Sequence, residues 1–569
     1  MSLMGSLYIG ASGLRTSNDA LNTTAHNMSN LDTQGYTRQQ VAQGTRTYVT
    51  HSKSATKNWI QTGLGVNYTR TRQERDAILD KNFRREEGRL YFYNVSEVAL
   101  EEIEYILGES NEGHEFSVAL IGDHNGANAQ DGLWGAVQEL AKDPTSSVNQ
   151  NLFVTKAYEF ITKAQKVYDS LCTYQDNMNK DVKNDVDLIN KYAQEIESLN
   201  RAIVRVEGGP EHANDLRDRR NYLLDELAKL GSISYSEDPS GYVKVRFEEV
   251  DLVQGSLVNE MCLYKDPQTG FYTPYWKVLA NYDKFDKDGK PIVSEENIAG
   301  AKVFNLEDKI SSEYNTDIGS LKSTLLARGD HRATHSELDD INPDGEYQEG
   351  WYDVHVSQSI VMNIQAEFDK LVHIITTKIN DVLADGAERA RLLNPNSEYL
   401  RDPNRLDEDG NTLPYQLFQL AVDSEEKPET GWTVRNILVN PELRKNPSLL
   451  NFRLDEHSED NETMEALKSA FEESIYTLNP KVTTPVNFTN YYKGLISQIA
   501  NTGSVFRAVH ENQTVATDAL AYAREEILGV SSDEELTNMI MYQNAYNASS
   551  RYINVISEML DHLLSTLGR

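Results

Sequence analysis

The chain has 569 residues, of which 39% are hydrophobic and 25% charged, and its formal net charge is −33. A chain of this length is expected to fold as about three to four domains. Because binding to phosphate groups needs clustered Lys and Arg, so acidic a chain is not expected to bind nucleic acid or an acidic membrane surface.

The first 72 residues differ in charge from the rest of the chain. They carry seven Lys or Arg and two Asp, which gives a local net charge of +5. Either this is a chance fluctuation in a polar segment, or this end of the chain meets an acidic neighbour. The first basic residue, Arg15, follows the apolar stretch instead of preceding it, so no signal peptide is predicted. No run of about 18 apolar residues occurs, and no transmembrane helix is predicted.

Two rows of residues recur at seven-residue intervals near the N-terminus. Such rows predict a helix with a narrow apolar stripe, as in a coiled coil. The first row is apolar, and the second contains small residues such as Gly10, Ser17 and Thr24. The apolar row consists of Leu7, Leu14, Leu21 and Met28.

A much longer stripe follows, from Phe160 to Val206, and predicts a helix over residues 150–206. At about 1.5 Å per residue this helix would be about 85 Å long, which favours a rod over a compact fold. Asp181 and Asp185 interrupt the stripe, so a kink or a change of register is predicted there. A short helix is predicted at about 213–230.

Residues 231–325 have a different pattern. Val243, Val245 and Phe247 alternate with polar residues, and turn sequences containing Asp and Gly recur. This pattern predicts a β-rich domain inserted into the helical rod. A further helical stripe then runs from Val361 to Val382 and is predicted to end at Gly386.

Residues 387–480 show no sustained period, and they contain many Asn, Pro and acidic residues. They are predicted to form an irregular peripheral insertion. After them, a stripe from Leu495 to Ile527 predicts another long helix.

The last stripe of the chain alternates steps of three and four residues from Leu536 onward. It includes Tyr546, Ile553, Leu560 and Leu564. Neither terminal helix has a core around it in the sequence, so we predict that the two ends pair with each other. The alternative is two ordinary surface helices on a globular domain.

No catalytic, cofactor-binding or metal-binding site is predicted. His331 and His335 have the spacing of two ligands on a helix, but the residues around them predict a loop. Asp286 and Asp288 fall at calcium-ligand positions of a loop whose first position is Lys284, where a carboxylate is needed. Cys172 and Cys262 lie in a predicted helix and a predicted strand, so no disulfide is expected.

Both ends of the chain carry runs of residues that match a known sequence pattern. The runs over residues 12–14, 20–30 and 33–39 are similar to the shared start of flagellar rod, hook and hook-associated proteins. The usual family form has Asn-Ile-Ala-Asn and Thr-Pro-Gly-Tyr, where this chain has Asn-Met-Ser-Asn and Thr-Gln-Gly-Tyr. At the C-terminus, residues 529–536 and 542–551 are similar to the hook-associated form. Residues 213–227 and 252–255 fit the same branch, so the chain resembles the hook-associated protein 1 (FlgK-type) family.

The resemblance and the stripes together predict a mainly α fold with a β-rich insertion. We expect an elongated helical bundle or coiled-coil rod formed by the N- and C-terminal parts, with a β domain inserted in the middle. The predicted domains are an inner coiled-coil core (1–60 plus 528–569), a helical rod (61–230 plus 326–386 plus 481–527), a β-rich insertion (231–325) and a peripheral insertion (387–480).

The resemblance implies a structural subunit of the bacterial flagellum, not an enzyme, that forms the junction ring between hook and filament. The implied partners are copies of itself in a ring, hook protein below, hook-associated protein 3 and flagellin above, and a flagellar export chaperone. The implied location is the extracellular flagellum, reached through the flagellar type III export system. Two alternatives remain open: a hook-type or rod-type axial subunit, and an enzyme displayed on the flagellum.

The predicted assembly interface has two parts. Asn27, Asn30, Gly35 and Tyr36 are expected to shape the turn that follows the first helix, because Asn can cap a helix and Gly accepts positive φ. The surface expected to become buried on assembly consists of Leu7, Leu14, Leu21, Met28, Leu536, Tyr546, Ile553, Leu560 and Leu564.

Overall fold

The computed structural model describes the whole chain except residues 1–2, 47–48, 54–58, 74, 109–114, 123–131, 210–211, 283–291, 408, 422–431, 455–457 and 568–569. The described residues form long helices and several small sheets. This confirms the predicted class, a mainly α fold with a β-rich insertion.

The helices of the described chain include six of more than 25 residues. In chain order they are α1 (Leu3–Ser29), α2 (Ala77–Leu107), α3 (Glu115–Ile121), α4 (Leu133–Lys142), α5 (Ser147–Glu207), α6 (Asn214–Leu230), α7 (Glu295–Ile298), α8 (Ser320–Arg328), α9 (Ile360–Leu393), α10 (Pro441–Lys445), α11 (Asn461–Glu472), α12 (Phe488–Leu528) and α13 (Ser532–Leu567). Short 3-10 turns at His335–Asp339 and Pro447–Leu449 and a π-helical turn at Tyr352–Val356 connect some of them.

The strands are short and pair antiparallel. One four-stranded sheet has the order β5-β6-β7-β8, and the pairs β1-β4, β2-β3, β9-β10, β11-β12 and β13-β14 form two-stranded sheets. The strands are β1 (Gln39–Thr45), β2 (Val49–Lys53), β3 (Trp59–Thr62), β4 (Val66–Gln73), β5 (Ile233–Glu237), β6 (Val243–Phe247), β7 (Val250–Gln254), β8 (Leu257–Val258), β9 (Met261–Lys265), β10 (Tyr272–Trp276), β11 (Arg401–Leu406), β12 (Thr412–Pro414), β13 (Phe418–Leu420) and β14 (Ile437–Val439).

Helix α5 forms the backbone of the rod. It has 61 residues in one helix, which continues through Asp181 and Asp185, where a kink or a change of register is predicted from the sequence. Val182 and Val186 are buried and carry the apolar stripe past these two acids. The first half of α5 packs into one core and the second half into another.

The β-rich insertion packs on the second half of α5. Val245 and Phe247 of β6 lie in one core with Ile189 of α5 and Leu227 of α6. The insertion therefore lies on the side of the rod. Helix α8, which starts at Ser320, packs against α2 and is part of the rod. The rod thus resumes a few residues before the predicted boundary at 326.

Residues 387–480 differ from the predicted peripheral insertion. Helix α9 continues through Gly386 to Leu393, and the missing side chain of Gly386 makes room for Thr463. Side chains that follow, such as Phe418 and Leu467, join the same core as the first half of α5. This segment is therefore an integral part of one end of the rod.

Helices α2 and α12 form an antiparallel pair along the rod. The Gln513 side chain of α12 donates to Glu86 of α2, and Arg507 pairs with Glu101 further along α2. Near the end of α12, Arg524 pairs with Asp80 of α2 and Asp225 of α6. These ion pairs join the N- and C-terminal parts of the chain.

A buried carboxyl in α9 predicts a pH-dependent stability. Glu367 is fully buried and accepts hydrogen bonds from Asn363, Asn479 and Gln498. Burial raises the pKa of Glu367 from its ordinary value of 4.5 to about 7. The folded chain thus holds this proton more tightly than the unfolded chain. The stability that protonated Glu367 contributes to the folded chain is fully present below about pH 4.5 and is lost as the pH rises through about 7.

Glu367→Gln should therefore flatten the pH dependence of the unfolding free energy between about pH 5 and 8, by up to about 3 kcal/mol. Denaturant unfolding at several pH values measures this. Glu349→Gln is the control, because Glu349 is exposed. Equal pH slopes for the original chain and Glu367→Gln would contradict the prediction.

Candidate assembly interface

Helices α1 and α13 pair antiparallel, as predicted for the two ends of the chain. Gly10 lies against Ile553, and Gly13 lies against Ser549. A Cβ atom at Gly10 would stand 2.7 Å from Ile553 Cγ1, and one at Gly13 would stand 2.8 Å from Ser549 Oγ. The small residues of α1 therefore let the two helix backbones approach closely.

The buried face of α1 is the row of small and polar residues. Ser17, Ala20, Thr24 and Asn27 are all buried, as is Gly10. Sequence reasoning assigned the main contact to the apolar row instead. That row flanks the buried face and is half-buried at Leu7, Leu14, Leu21 and Met28.

On α13 the predicted residues divide into two groups. Tyr546, Ile553 and Leu560 are half-buried, and Leu536 and Leu564 are exposed. Two residues of α13, Glu535 and Ile556, are buried. The pair therefore leaves much of the predicted apolar surface accessible.

The turn after α1 is held by side-chain amides. The Asn27 Nδ2 donates to the carbonyl oxygen of Gln39, whose N–H donates back to Asn27 Oδ1. The Tyr36 hydroxyl also donates to Asn27 Oδ1, and Asn30 Nδ2 donates to the His26 carbonyl. Gly35 has φ +78°, which favours glycine.

Arg38 fixes this turn to the elbow between α12 and α13. Its backbone N–H donates to the Leu528 carbonyl, and its Nε lies 2.8 Å from Glu535 Oε1. Its Nη1 also pairs with Glu534 at 2.8 Å. Arg38 is not among the interface residues predicted from the sequence, because its partners are nearly 500 positions away and no local pattern links them.

Helix α13 carries a second apolar row that sequence reasoning also missed. We call it the α13 outer stripe. Its large members are between 40% and 52% exposed, and its spacing in steps of three and four could have been read from the sequence. The α13 outer stripe consists of Met541, Ala545, Ala548, Tyr552, Val555, Met559 and Leu563.

The terminal pair also has few charges. Helix α1 has two charged residues, Arg15 and Asp19, although 25% of the whole chain is charged. Residues 536–557 of α13 include one, Arg551. Exposed apolar surface of this extent with few charges is typical of a protein–protein interface.

The structure gives no sign of a metal or redox site in its described part. No group of three or more His, Cys, Asp or Glu side chains there could hold a metal ion. His331 hydrogen-bonds Asp330 and Glu337, and His335 hydrogen-bonds Asp369. The cysteines are free, and residues 284–289, where Lys284 argues against a calcium loop, lie outside the described residues. No helix of the described chain is apolar and long enough to cross a membrane.

Gly10→Ala tests whether close approach of α1 and α13 matters. The added methyl group would collide with Ile553, and forcing the helices apart should cost about 1–3 kcal/mol. We expect about tenfold less of the chain in isolated flagella, measured by immunoblotting. Gly5→Ala is the matched control, because no atom lies within 4 Å of its added Cβ. Equal amounts for the two variants would contradict the close contact.

Comparison with known proteins supplies matches along most of the chain. A family described as "Flagellar hook-associated protein FlgK helical domain" matches residues 122–391. A second, described as "Flagellar basal body rod FlgEFG protein C-terminal", matches residues 524–566. The second match covers almost all of α13 and the α13 outer stripe.

Curated relatives match over nearly their whole length. Flagellar hook-associated protein 1 of Bacillus subtilis is 25% identical over 557 residues, which cover 96% of this chain and 95% of the relative. The proteins of the same name from Salmonella typhimurium and Escherichia coli are 23% and 22% identical, and cover 97% and 99% of this chain and 98% and 100% of the relatives.

A solved structure shares the fold. The flagellar hook junction protein FlgK from Burkholderia pseudomallei superposes with a TM-score of 0.52 at 10% sequence identity. The match covers 79% of this chain and 100% of that one.

Proposed function

This chain belongs to the flagellar hook-associated protein 1 family and is a structural subunit of the flagellar hook–filament junction; we propose that it assembles there as a ring through the exposed faces of α1 and α13. The role is proposed to be purely structural, without catalysis or a cofactor.

The α13 outer stripe is the single observation that carries this proposal. It is long, apolar and exposed, and it lies on a helix pair with few charges. Burial of such a face against other helices provides a driving force of about 25 cal/mol per Å². The stripe lies roughly 100° around α13 from the buried contact with α1, and Tyr552 at its edge touches Gly10. The other members, Val555 among them, stay accessible, so a copy can use them without opening its own terminal pair.

The predicted residues would act beside the α13 outer stripe. Leu7, Leu14, Leu21 and Met28 lie half-buried along the edge of the pair, and Leu536 and Leu564 are exposed. In the ring, we propose that these residues and Tyr546, Ile553 and Leu560 become buried. Asn27, Asn30, Gly35 and Tyr36 would hold the turn that sets the direction of the pair.

The position of the chain between hook and filament determines the partners that we propose. They are copies of this chain in the ring, hook protein below, and hook-associated protein 3 with flagellin above. Delivery is proposed to use a flagellar export chaperone and the type III export channel, which places the protein in the extracellular flagellum.

Immunogold labelling tests the location. An epitope inserted at the exposed turn around Gly345 lies far from α1 and α13 in sequence and should not disturb them. On isolated flagella, we expect one narrow band of gold at the boundary of hook and filament. Label along the hook, the rod or the whole filament would instead identify another axial subunit, and an absence of label from flagella would overturn the proposal.

A further inference from the structure

A second exposed seam lies on α12. It consists of one row of residues spaced by three and four positions, and we call it the α12 seam. Val515 and Tyr522 in it are 70% and 77% exposed. The row is Val505, Ala508, Asn512, Val515, Ala519 and Tyr522, all of them exposed.

The α12 seam lies opposite the face of α12 that packs on the rod. Gly503 and Thr517 are buried, and Thr517 and Gln513 both contact Glu86 of α2. At about 100° per residue, the seam lies roughly 180° around the helix from these residues. It is therefore a regular coiled-coil face that has no partner within the described chain.

A row of acids flanks the α12 seam. Glu511, Asp518 and Glu525 recur every seven residues and are all exposed. In the described part of the chain, none of the three forms an ion pair; those of α12 come from Arg507, His510 and Arg524. Two copies of the seam facing each other would bring these acids together, and like charges across a contact are unfavourable. The acids therefore favour a basic partner.

The chain supplies a basic surface of its own near the same end of the molecule. The antiparallel strands β1 and β4 adjoin α1; Arg70 is exposed on β4, and Arg46 is exposed directly after the end of β1. No described carboxylate lies within ion-pair distance of either arginine. Between them, Tyr68 of β4 exposes an aromatic ring suited to the small apolar residues of the seam. This surface belongs to the segment with net charge +5 in a chain of net charge −33.

We propose that the α12 seam of one copy receives the β1–β4 surface of the next copy. The inference rests on the proposed ring and names one contact within it. The contact joins two different surfaces, so each copy keeps one free seam and one free basic surface. A contact of this kind closes into a ring when the rotation between copies is right. The opposite charges also guide neighbouring copies into register and discourage a seam-to-seam dimer.

Reciprocal charge reversal tests the contact. One variant carries Glu511→Lys, Asp518→Lys and Glu525→Lys, and the other carries Arg46→Glu and Arg70→Glu. Each should reduce the amount of chain in isolated flagella by at least about tenfold. A chain carrying all five changes should recover most of the loss, because the charges are again complementary. All altered side chains are exposed, so the melting temperatures of the purified chains should stay unchanged.

The outcomes separate the inference from the proposed function. Normal incorporation of either charge-reversed variant, or no recovery in the combined variant, overturns the proposed contact. Immunogold label absent from the hook–filament boundary for the unmodified chain overturns the ring itself, and the contact with it. Equal total amounts of exported chain, in flagella and culture medium together, for every variant show that a loss from flagella reflects the contact and not export.

Discussion

Replacing Val555 by aspartate is expected to abolish incorporation of the chain into the hook–filament junction while leaving the isolated chain as stable as before. Val555 sits in the middle of the α13 outer stripe and is 47% exposed. In the proposed ring it is buried against neighbouring copies. A carboxylate there without a partner costs at least about 3 kcal/mol, or roughly a hundredfold in affinity for each copy.

Isolated flagella and swimming measure the effect. We expect the variant to be secreted into the medium, absent from flagella and unable to restore motility to a strain that lacks the chain. Leu393→Asp is the matched control, because Leu393 is 80% exposed at the end of α9 and belongs to no proposed contact. Motile cells with Val555→Asp in their flagella would show that the α13 outer stripe stays exposed after assembly.

Removal of the Asp225 carboxylate should lower the free energy of unfolding by about 3–5 kcal/mol. This carboxylate accepts from Arg84 Nε at 2.6 Å and from Arg524 Nη2 at 2.7 Å. The Arg84 side chain is almost fully buried and has no second acid in direct contact among the described residues. Asp225→Ala therefore leaves a buried guanidinium unpaired where α2, α6 and α12 meet.

Urea unfolding of the purified chain gives the free energy. Asp187→Ala is the control, since Asp187 is exposed on α5, and it should change stability by less than about 0.5 kcal/mol. A double variant, Arg84→Met with Asp225→Leu, should recover most of the loss, because apolar pairs of similar size can replace buried ion pairs. If Asp225→Ala unfolds at the same urea concentration as the original chain, the ion-pair cluster does not hold the rod together.

Long periodic elements were predicted well from the sequence. The stripes of α1, α5, α9, α12 and α13 each gave a helix, because one face of a long helix repeats the same burial many times. The pairing of α1 with α13 followed from the absence of a core around either helix. The predicted face was less accurate. Two heptad rows run along α1, and spacing cannot decide which one meets α13. Close contact at Gly10 decides it.

The short strands of residues 387–480 were not predicted from periodicity. In residues 387–480, the three-residue strands β13 and β14 contribute one or two side chains each to a core built by α5 and α9. Phe418 and Ile437 show no period, because each comes from a separate strand. The ion pair between Arg38 and Glu535 was not predicted for a related reason: the two residues are far apart in the sequence and meet only in the folded chain.

Cysteine labelling at Val555 tests the assembly surface most directly. A Val555→Cys chain, with Cys262→Ser to remove the half-buried thiol, is reacted with a maleimide as free chain and within isolated flagella. Burial against neighbouring copies predicts rapid labelling of the free chain and at least about tenfold slower labelling in flagella, with Leu393→Cys labelled equally in both. Equal labelling rates for Val555→Cys in the free chain and in flagella would contradict assembly through this surface.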